Sequence, residues 1–323
     1  MDLWILTDGK AGHLNQCLGV AQALGVEPTI HTLKPRRFGR LLGLFRPLWR
    51  LDPTSLAPLS VGPYPRVVLS AGNLGAPVLR WLKTLAPRTC VVQLMTPKGS
   101  LEAYDLVAVP AHDLTPPQPN VVVTLGAPNK ISAATLATAQ DQWRVPLADY
   151  PRPRVAVLVG GKSKRYTFDD AKAVALAKDL KYLQQATNAS LLVTPSRRTG
   201  ASQTRLLKSY LGAQNVYFWG EKGHNPYLGF LACADAVVVT ADSVSMISEA
   251  ATAGKPVYVY DRHRFWGKKF ERFFKLLEDA GYIFPITDTW LKNPQLHFTP
   301  VGKPLADAAK VADAIRRWLA TRA

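Results

Sequence analysis

The stretch Ala232-Cys-Ala-Asp-Ala-Val-Val-Val-Thr-Ala-Asp-Ser-Val-Ser-Met-Ile-Ser-Glu-Ala-Ala-Thr-Ala-Gly-Lys-Pro-Val-Tyr-Val-Tyr-Asp261 decides the architecture. Ala236–Val239 is a short, mostly β-branched run, too short for a helix, and is read as a buried strand. The loop Thr240-Ala-Asp-Ser243 follows, with side chains suited to capping a helix N-terminus. The predicted helix runs to about Ala253, where Gly254 and then Pro256 stop it. Val257–Tyr260 is a second buried strand. The result is a βαβ unit whose loop, at the carboxyl end of the first strand, lies where open parallel sheets bind ligands. With Ser243 as the cap, Ser245 and Glu249 are four apart and share one helix face. Amides at a helix N-terminus attract phosphate, and a carboxylate above them suits the two hydroxyls of a ribose. A plain structural cap with Glu249 in solvent fits these residues equally, so the rest of the chain has to separate the two.

Outward from this unit the same programme repeats. In the second half, Val155–Val159, Leu191–Thr194 and Val216–Trp219 are strands, and Phe168–Thr187 is a long helix. A helix runs from about 201 to Leu211, and Asn225–Cys233 is a short one. In the first half, Leu3–Thr7, Pro28–Thr32, Arg66–Ser70, Thr89–Leu94, Leu106–Val109 and Asn120–Thr124 are strands, with helices to about Leu24 and Leu85. Alternating strands and helices imply parallel, doubly wound sheets. Arg144–Arg154, with three prolines, reads as an interdomain linker. The picture is an α/β chain of two Rossmann-like domains, closed by a helix over Leu305–Ala320.

A chain of 323 residues accommodates two such cores. No apolar run reaches 18 residues, so no membrane span is expected. The N-terminus reads as a first strand, and no signal peptide is expected. Cys17, Cys90 and Cys233 lie far apart without a CxxC, which argues against a disulfide framework or a thiolate zinc site and for a cytoplasmic protein. The 40 Lys and Arg against 23 Asp and Glu leave a net charge of +17. That excess calls for an anionic partner: a phosphorylated substrate, an acidic membrane surface or nucleic acid.

Four further loops carry candidate chemistry, among them Phe218–Tyr227, which could hold a nucleobase through ring stacking and backbone hydrogen bonds. Gly160-Gly-Lys-Ser-Lys-Arg165 joins a strand to a helix, its glycines giving backbone amides access to a phosphate that Lys162, Lys164 and Arg165 would neutralise. It is neither a P-loop nor a GxGxxG fingerprint. Ser196, Arg197 and Arg198 end the next strand, and arginine forks bind phosphate bidentately. Together with Ser243, Val244 and Ser245 these form the expected phosphate site, with Glu249, Trp219, Gly220 and Met246 expected at ribose and nucleobase. In the first half, Asp8-Gly-Lys-Ala-Gly-His13 places His13 just inside a helix. There a neutral imidazole serves as a base, with Asp8 as the alternative. Lys10, Gly12 and Asn73 would face the acceptor.

Two stretches interleave basic and aromatic residues. The first, Lys34–Arg50, contains Arg36, Arg37, Arg40 and Trp49 and suits an anionic bilayer surface. The second, Arg262–Lys275, suits a core-covering amphipathic helix or a wall between domains.

Thr7-Asp-Gly-Lys-Ala-Gly-His-Leu-Asn-Gln16, Gly160-Gly-Lys-Ser163, Thr194-Pro-Ser-Arg-Arg-Thr199, Asn225-Pro-Tyr227 and Val239–Ala250 with Gly254-Lys-Pro256 resemble the mitochondrial fission ELM family. That family's bacterial branch is associated with glycosyltransferases and nucleotide-sugar epimerases, and its plant members act in mitochondrial division. More distantly, the chain is similar to the GT-B enzymes that add N-acetylglucosamine to the lipid-linked peptidoglycan precursor. The resemblance implies a GT-B fold with two domains facing a cleft. Residues 1–148 would be the acceptor domain and 152–304 the donor domain, with the helix at 305–323 packing back on the first. It places His13 at the base, Gly160 and Gly161 at the donor phosphates, and Ser243, Ser245 and Glu249 at phosphate and ribose. Asp8, Lys10 and Lys162 depart from that group's pattern. The function it implies is metal-independent sugar transfer from a nucleotide-sugar to an envelope or lipid-linked acceptor at the inner membrane face. The nucleotide-sugar is a substrate, and neither cofactor nor metal nor nucleic acid is expected. The alternatives are a nucleotide-sugar 2-epimerase and a non-catalytic recruitment protein on the same fold.

Overall fold

The computed structural model describes residues 1–36, 47–163, 166–220, 223–261, 267–294 and 302–322. They form two compact units, Met1–Lys130 with Ala306–Ala323, and Ile131–Leu305. No helix among the described residues is long and apolar enough to cross a membrane.

The first unit contains β1 (Leu3–Thr7), α1 (Ala11–Leu24), β2 (Thr29–Thr32), β3 (Val67–Ala71), α2 (Ala76–Leu85), β4 (Cys90–Leu94), β5 (Leu106–Pro110) and β6 (Val121–Thr124). Its strands are all parallel, in the order β2-β1-β3-β4-β5-β6. Strand side chains alternate between faces. Leu3, Ile5, Val67 and Leu69 accordingly pack on one side with Cys17 and Val20 of α1. Leu6 and Val68 point the other way, against Val78 and Leu79 of α2.

The second unit continues with α3 (Ala133–Arg144), β7 (Arg154–Val159), α4 (Asp170–Thr187), β8 (Ser190–Pro195), α5 (Ala201–Leu211), β9 (Val216–Phe218), α6 (Tyr227–Cys233), β10 (Ala236–Thr240), α7 (Val244–Thr252), β11 (Val257–Tyr260), α8 (Lys268–Asp279) and β12 (Ile283–Pro285). Its parallel order is β12-β11-β10-β7-β8-β9. The chain ends with α9 (Asp307–Ala320), whose Val311, Ala314 and Ile315 complete the α1 face of the first unit.

Arg144–Arg154 is not a linker. Leu147 is fully buried, and the Arg154 guanidinium donates to the carbonyls of Leu147 (2.8 Å) and Tyr150 (2.7 Å). The segment is therefore folded into the second unit, and the division falls at Lys130. The expected boundary at 148 had left α3 with the first domain. That helix instead packs on α6, where Trp143 lies so close to Gly229 that a Cβ there would stand 2.2 Å from its ring. The second basic stretch is a core-covering helix as far as it is described. Phe273, Phe274 and Leu277 of α8 are buried, and its lysines and Arg272 line the outer side. Arg262–Trp266 lie outside the described residues.

Candidate functional site

In each sheet one gap marks where successive strands begin to be added on the opposite side, and ligands of open α/β sheets bind at the carboxyl ends flanking that gap. In the second unit the gap lies between β7 and β10. Gly160 and Gly161 leave β7 there, and Thr240–Ser243 leave β10.

Asp242 is the hub of this point. Its side chain is fully enclosed. Oδ2 accepts from the Gly161 amide at 3.0 Å and pairs with Nη1 of Arg198 at 2.8 Å. Oδ1 accepts from the Thr240 hydroxyl at 2.7 Å, and that hydroxyl's oxygen accepts from the Gly160 amide at 2.8 Å. The loops after β7, β8 and β10 are thus tied by one carboxylate. The Thr199 hydroxyl, donating to the carbonyl of Gly160 at 2.5 Å, and the Lys162 amide, donating to that of Arg198 at 3.0 Å, tighten the tie. Both glycines are required by proximity. A Cβ on Gly160 would lie 2.1 Å from Asp242 Oδ1, and one on Gly161 would lie 2.0 Å from the carbonyl oxygen of Arg198.

This corrects the role expected for three residues. The amides of Gly160 and Gly161 point inward to Thr240 and Asp242, where phosphate access had been expected. Arg198 is held by Asp242, because a buried carboxylate needs donors and a cation. The exposed cations that remain are Lys162 and Arg197, whose side chains have no partner among the described residues. Lys164 and Arg165 lie outside those residues.

Ser243 caps α7 by accepting from the Met246 amide at 3.4 Å. Val244 and Ser245 occupy the first turn, and the Ser245 hydroxyl has no hydrogen-bond partner among the described residues. A pocket of about 430 Å³ opens beside this turn, its lining including Thr194, Ser196, Arg197, Trp219, Tyr227 and Met246. Gly220 follows Trp219, exposed and with open space around its Cα. Glu249, two turns into α7, accepts a hydrogen bond from the Tyr227 hydroxyl at 2.5 Å. Thus Arg197, Ser196, Trp219 and Met246 converge on one pocket, and Glu249 reaches it through Tyr227.

In the first unit the gap lies between β1 and β3, and the loops after those strands meet. Asp8 Oδ1 lies 3.0 Å from His13 Nδ1, and Asp8 Oδ2 lies 2.5 Å from the Lys10 ammonium. Burial works to raise the Asp8 carboxyl. The Lys10 hydrogen bond, the charge of the imidazole and the Lys10 amide outweigh it, and Asp8 is held below the ordinary carboxylate range. An ionised Asp8 only accepts. His13 therefore carries a proton on Nδ1, and in its neutral form presents an acceptor at Nε2, which has no partner among the described residues. The ring lies against Gly72, where φ is +81° and a Cβ would stand 2.5 Å from Cε1. Gly12 sits in the first turn of α1, Lys10 just before it, and Asn73 is exposed beside Gly72.

Arg36 and Trp49 are exposed, Trp49 at 45%, and the Arg36 amide donates to the Arg50 carbonyl at 2.8 Å. Arg37 and Arg40 lie outside the described residues. The sequence reasoning had missed Asp242 as a hub, the roles of Thr199 and Gly72, and the bond from Tyr227 to Glu249. It had also treated Asp8 as a rival of His13, where the geometry makes the two a pair. The i to i+5 spacing across a helix start was the available signal for that pair.

Two parallel six-stranded α/β sheets with loops gathered at these points define the GT-B fold, and solved structures with it cover the chain almost end to end. UDP-GlcNAc 2-epimerase from Methanocaldococcus jannaschii superposes with a TM-score of 0.63 at 13% identity, over 99% of this chain and all of that one. MurG of Acinetobacter baumannii superposes with a TM-score of 0.55 at 15% identity, over 98% of this chain and all of that one. The chain belongs to the mitochondrial fission ELM1 family, whose model matches residues 11–319. The mitochondrial fission protein ELM1 of Arabidopsis thaliana is 35% identical over 285 residues, 80% of this chain, which spans 65% of that relative's length.

Proposed function

We propose that this protein is a glycosyltransferase that moves a sugar from a nucleotide-sugar to an acceptor hydroxyl at the inner face of the membrane. The observation that carries it is the pocket of the second unit. An aromatic wall at Trp219, the cations Arg197 and Lys162, which have no partner among the described residues, the first turn of α7 and the carboxylate of Glu249 supply what a nucleobase, a diphosphate and a ribose require. Fold relatives named for UDP-GlcNAc make UDP the first nucleotide to test.

In the reaction, the acceptor hydroxyl gives its proton to His13 Nε2 as its oxygen bonds the anomeric carbon of the donor. The bond from that carbon to the diphosphate breaks, and its electron pair leaves on phosphate oxygen. Asp8 fixes the tautomer and stabilises the imidazolium formed. Lys162, Arg197 and the amides of Ser243–Ser245 stabilise the departing charge. The acceptor class, an envelope or lipid-linked glycan, rests on the exposed Arg36 and Trp49, which suit apposition to anionic lipid.

Calorimetric titration with UDP tests the donor site. Wild type is expected to bind and Glu249→Gln to bind at least fivefold more weakly; equal affinities would remove Glu249 from the ribose. A second reading, a recruitment protein without turnover, draws on Asp242. A buried carboxylate that consumes Gly161's amide and Arg198's charge removes two diphosphate ligands from the loop where they were expected. Failure to bind any nucleoside diphosphate favours that reading. Interconversion of a UDP-sugar without acceptor favours an epimerase.

A further inference from the structure

Tyr227 and Glu249 come from different helices, α6 and α7, and meet through one hydrogen bond of 2.5 Å from the phenol to Oε2. Tyr227 is the first residue of its helix, and its amide donates to the Asn225 side chain at 3.0 Å, which fixes where the ring starts. The ring then lines the same pocket as Arg197, Trp219 and Met246. A glutamate has three side-chain torsions and, unanchored, samples many positions. A carboxylate offers about four lone-pair sites, and the phenol takes one of them, so the bond restricts the group. A fixed carboxylate matches two neighbouring hydroxyl donors at once, which the vicinal diol of a ribose supplies and a 2′-deoxyribose does not.

We propose that Tyr227 is a positioning residue that holds Glu249 as a reader of a vicinal diol, so that the pocket selects ribonucleotides over 2′-deoxyribonucleotides. This rests on the assignment of Glu249 to the ribose. Desolvation, then the charge and hydrogen bond of Glu249, push the phenol of Tyr227 well above its ordinary range, so it remains a donor through neutral and alkaline pH. A site built to hydrogen-bond a hydroxyl discriminates strongly against the analogue lacking it, because its own polar group is left unpaired.

The test is titration of the full chain with UDP and with 2′-deoxy-UDP, using wild type, Tyr227→Phe, Glu249→Gln and the double variant, with thermal melts to verify folding. Wild type is expected to favour UDP about tenfold or more. Tyr227→Phe should lose most of that preference by weakening UDP while leaving 2′-deoxy-UDP within about twofold. Because Tyr227 acts through Glu249, the double variant should match Glu249→Gln. Equal weakening of both nucleotides by Tyr227→Phe would make the residue a general wall of the pocket and overturn the proposal. So would an unchanged ratio, or a wild type that binds both nucleotides equally while Glu249→Gln still weakens both. In that last case the ribose assignment itself stands. Absence of UDP binding, or indifference of UDP to Glu249→Gln, overturns both together. Should Tyr227→Phe melt early, Tyr227→Trp, which keeps an aromatic wall but lacks the hydroxyl, replaces it with the same expected collapse of the ratio.

Discussion

Arg197 and Arg198 are adjacent in the chain and differ in what holds them. Arg198 pairs with Asp242, whose carboxylate is wholly enclosed, whereas Arg197 lines the pocket with no partner among the described residues. Their substitutions should therefore separate. Arg197→Ala removes a charge-assisted phosphate contact worth about 1.5–3 kcal/mol, so UDP affinity falls roughly tenfold or more with little change in melting temperature. Arg198→Ala leaves Asp242 with its amide and hydroxyl donors but no cation, which costs about 2 kcal/mol of stability. Urea unfolding and titration on both variants decide it. If Arg198→Ala lost affinity at unchanged stability, Asp242 would not be the residue that governs Arg198. This distinction was invisible in the sequence, where Pro195-Ser-Arg-Arg198 offers two equivalent arginines. Asp242 lies far along the chain from both Gly161 and Arg198, and no local spacing links them. The link between Tyr227 and Glu249 was hidden for the same reason. Glu249 itself was legible because its position depends only on the helix period counted from its cap at Ser243.

At the scale of elements, strands were legible wherever both faces are buried, because β3, β4, β7 and β10 are predominantly apolar runs bounded by polar or glycine loops. Among the elements that escaped are α3 and β12. α3 buries only Ala139 and Trp143 and so shows little periodicity, although its capping box at Ser132 and Thr135 was a readable start. β12 is three residues long. Proline counting misled at Arg144–Arg154, where the prolines shape a packed turn. The basic segment before residue 51 tests differently, since its effect depends on solvent-facing charge. Arg36 and Trp49 are exposed, and the Arg36 amide donates to the Arg50 carbonyl. Each basic residue near an anionic surface contributes about 1 kcal/mol. Changing Arg36, Arg37 and Arg40 to Glu should then lower partitioning onto vesicles of phosphatidylglycerol and phosphatidylethanolamine by at least about a hundredfold. Co-flotation of wild type and variant to the same extent would sink the membrane assignment.

At the scale of the molecule, the first unit is discontinuous: the chain leaves it at Lys130 and re-enters at Ala306. The returning helix α9 brings Val311, Ala314 and Ile315 into the core shared by Leu3, Ile5, Val20 and Leu69. The enclosed Asp307 carboxylate accepts from the amides of Leu125 (3.1 Å) and Gly126 (2.7 Å), and Arg316 donates to the Ala23 carbonyl at 2.6 Å. Burying Val311 and Ile315 contributes about 1.5–3 kcal/mol each, and the hydrogen bonds to Asp307 add about 1.5–3 kcal/mol. A domain's whole margin is about 5–15 kcal/mol. A chain ending at Leu305 should consequently lose most of the stability of its first unit, while the second, which contains none of these residues, keeps its own. Hydrogen exchange resolves the two in one sample. Amides of β1 and β3 should exchange orders of magnitude faster in the shortened chain, and those of β7 and β10 should stay protected. Retained protection in β1 and β3 would show that the six-stranded sheet with α1 and α2 stands alone, leaving α9 a cover for that face rather than part of what holds it together.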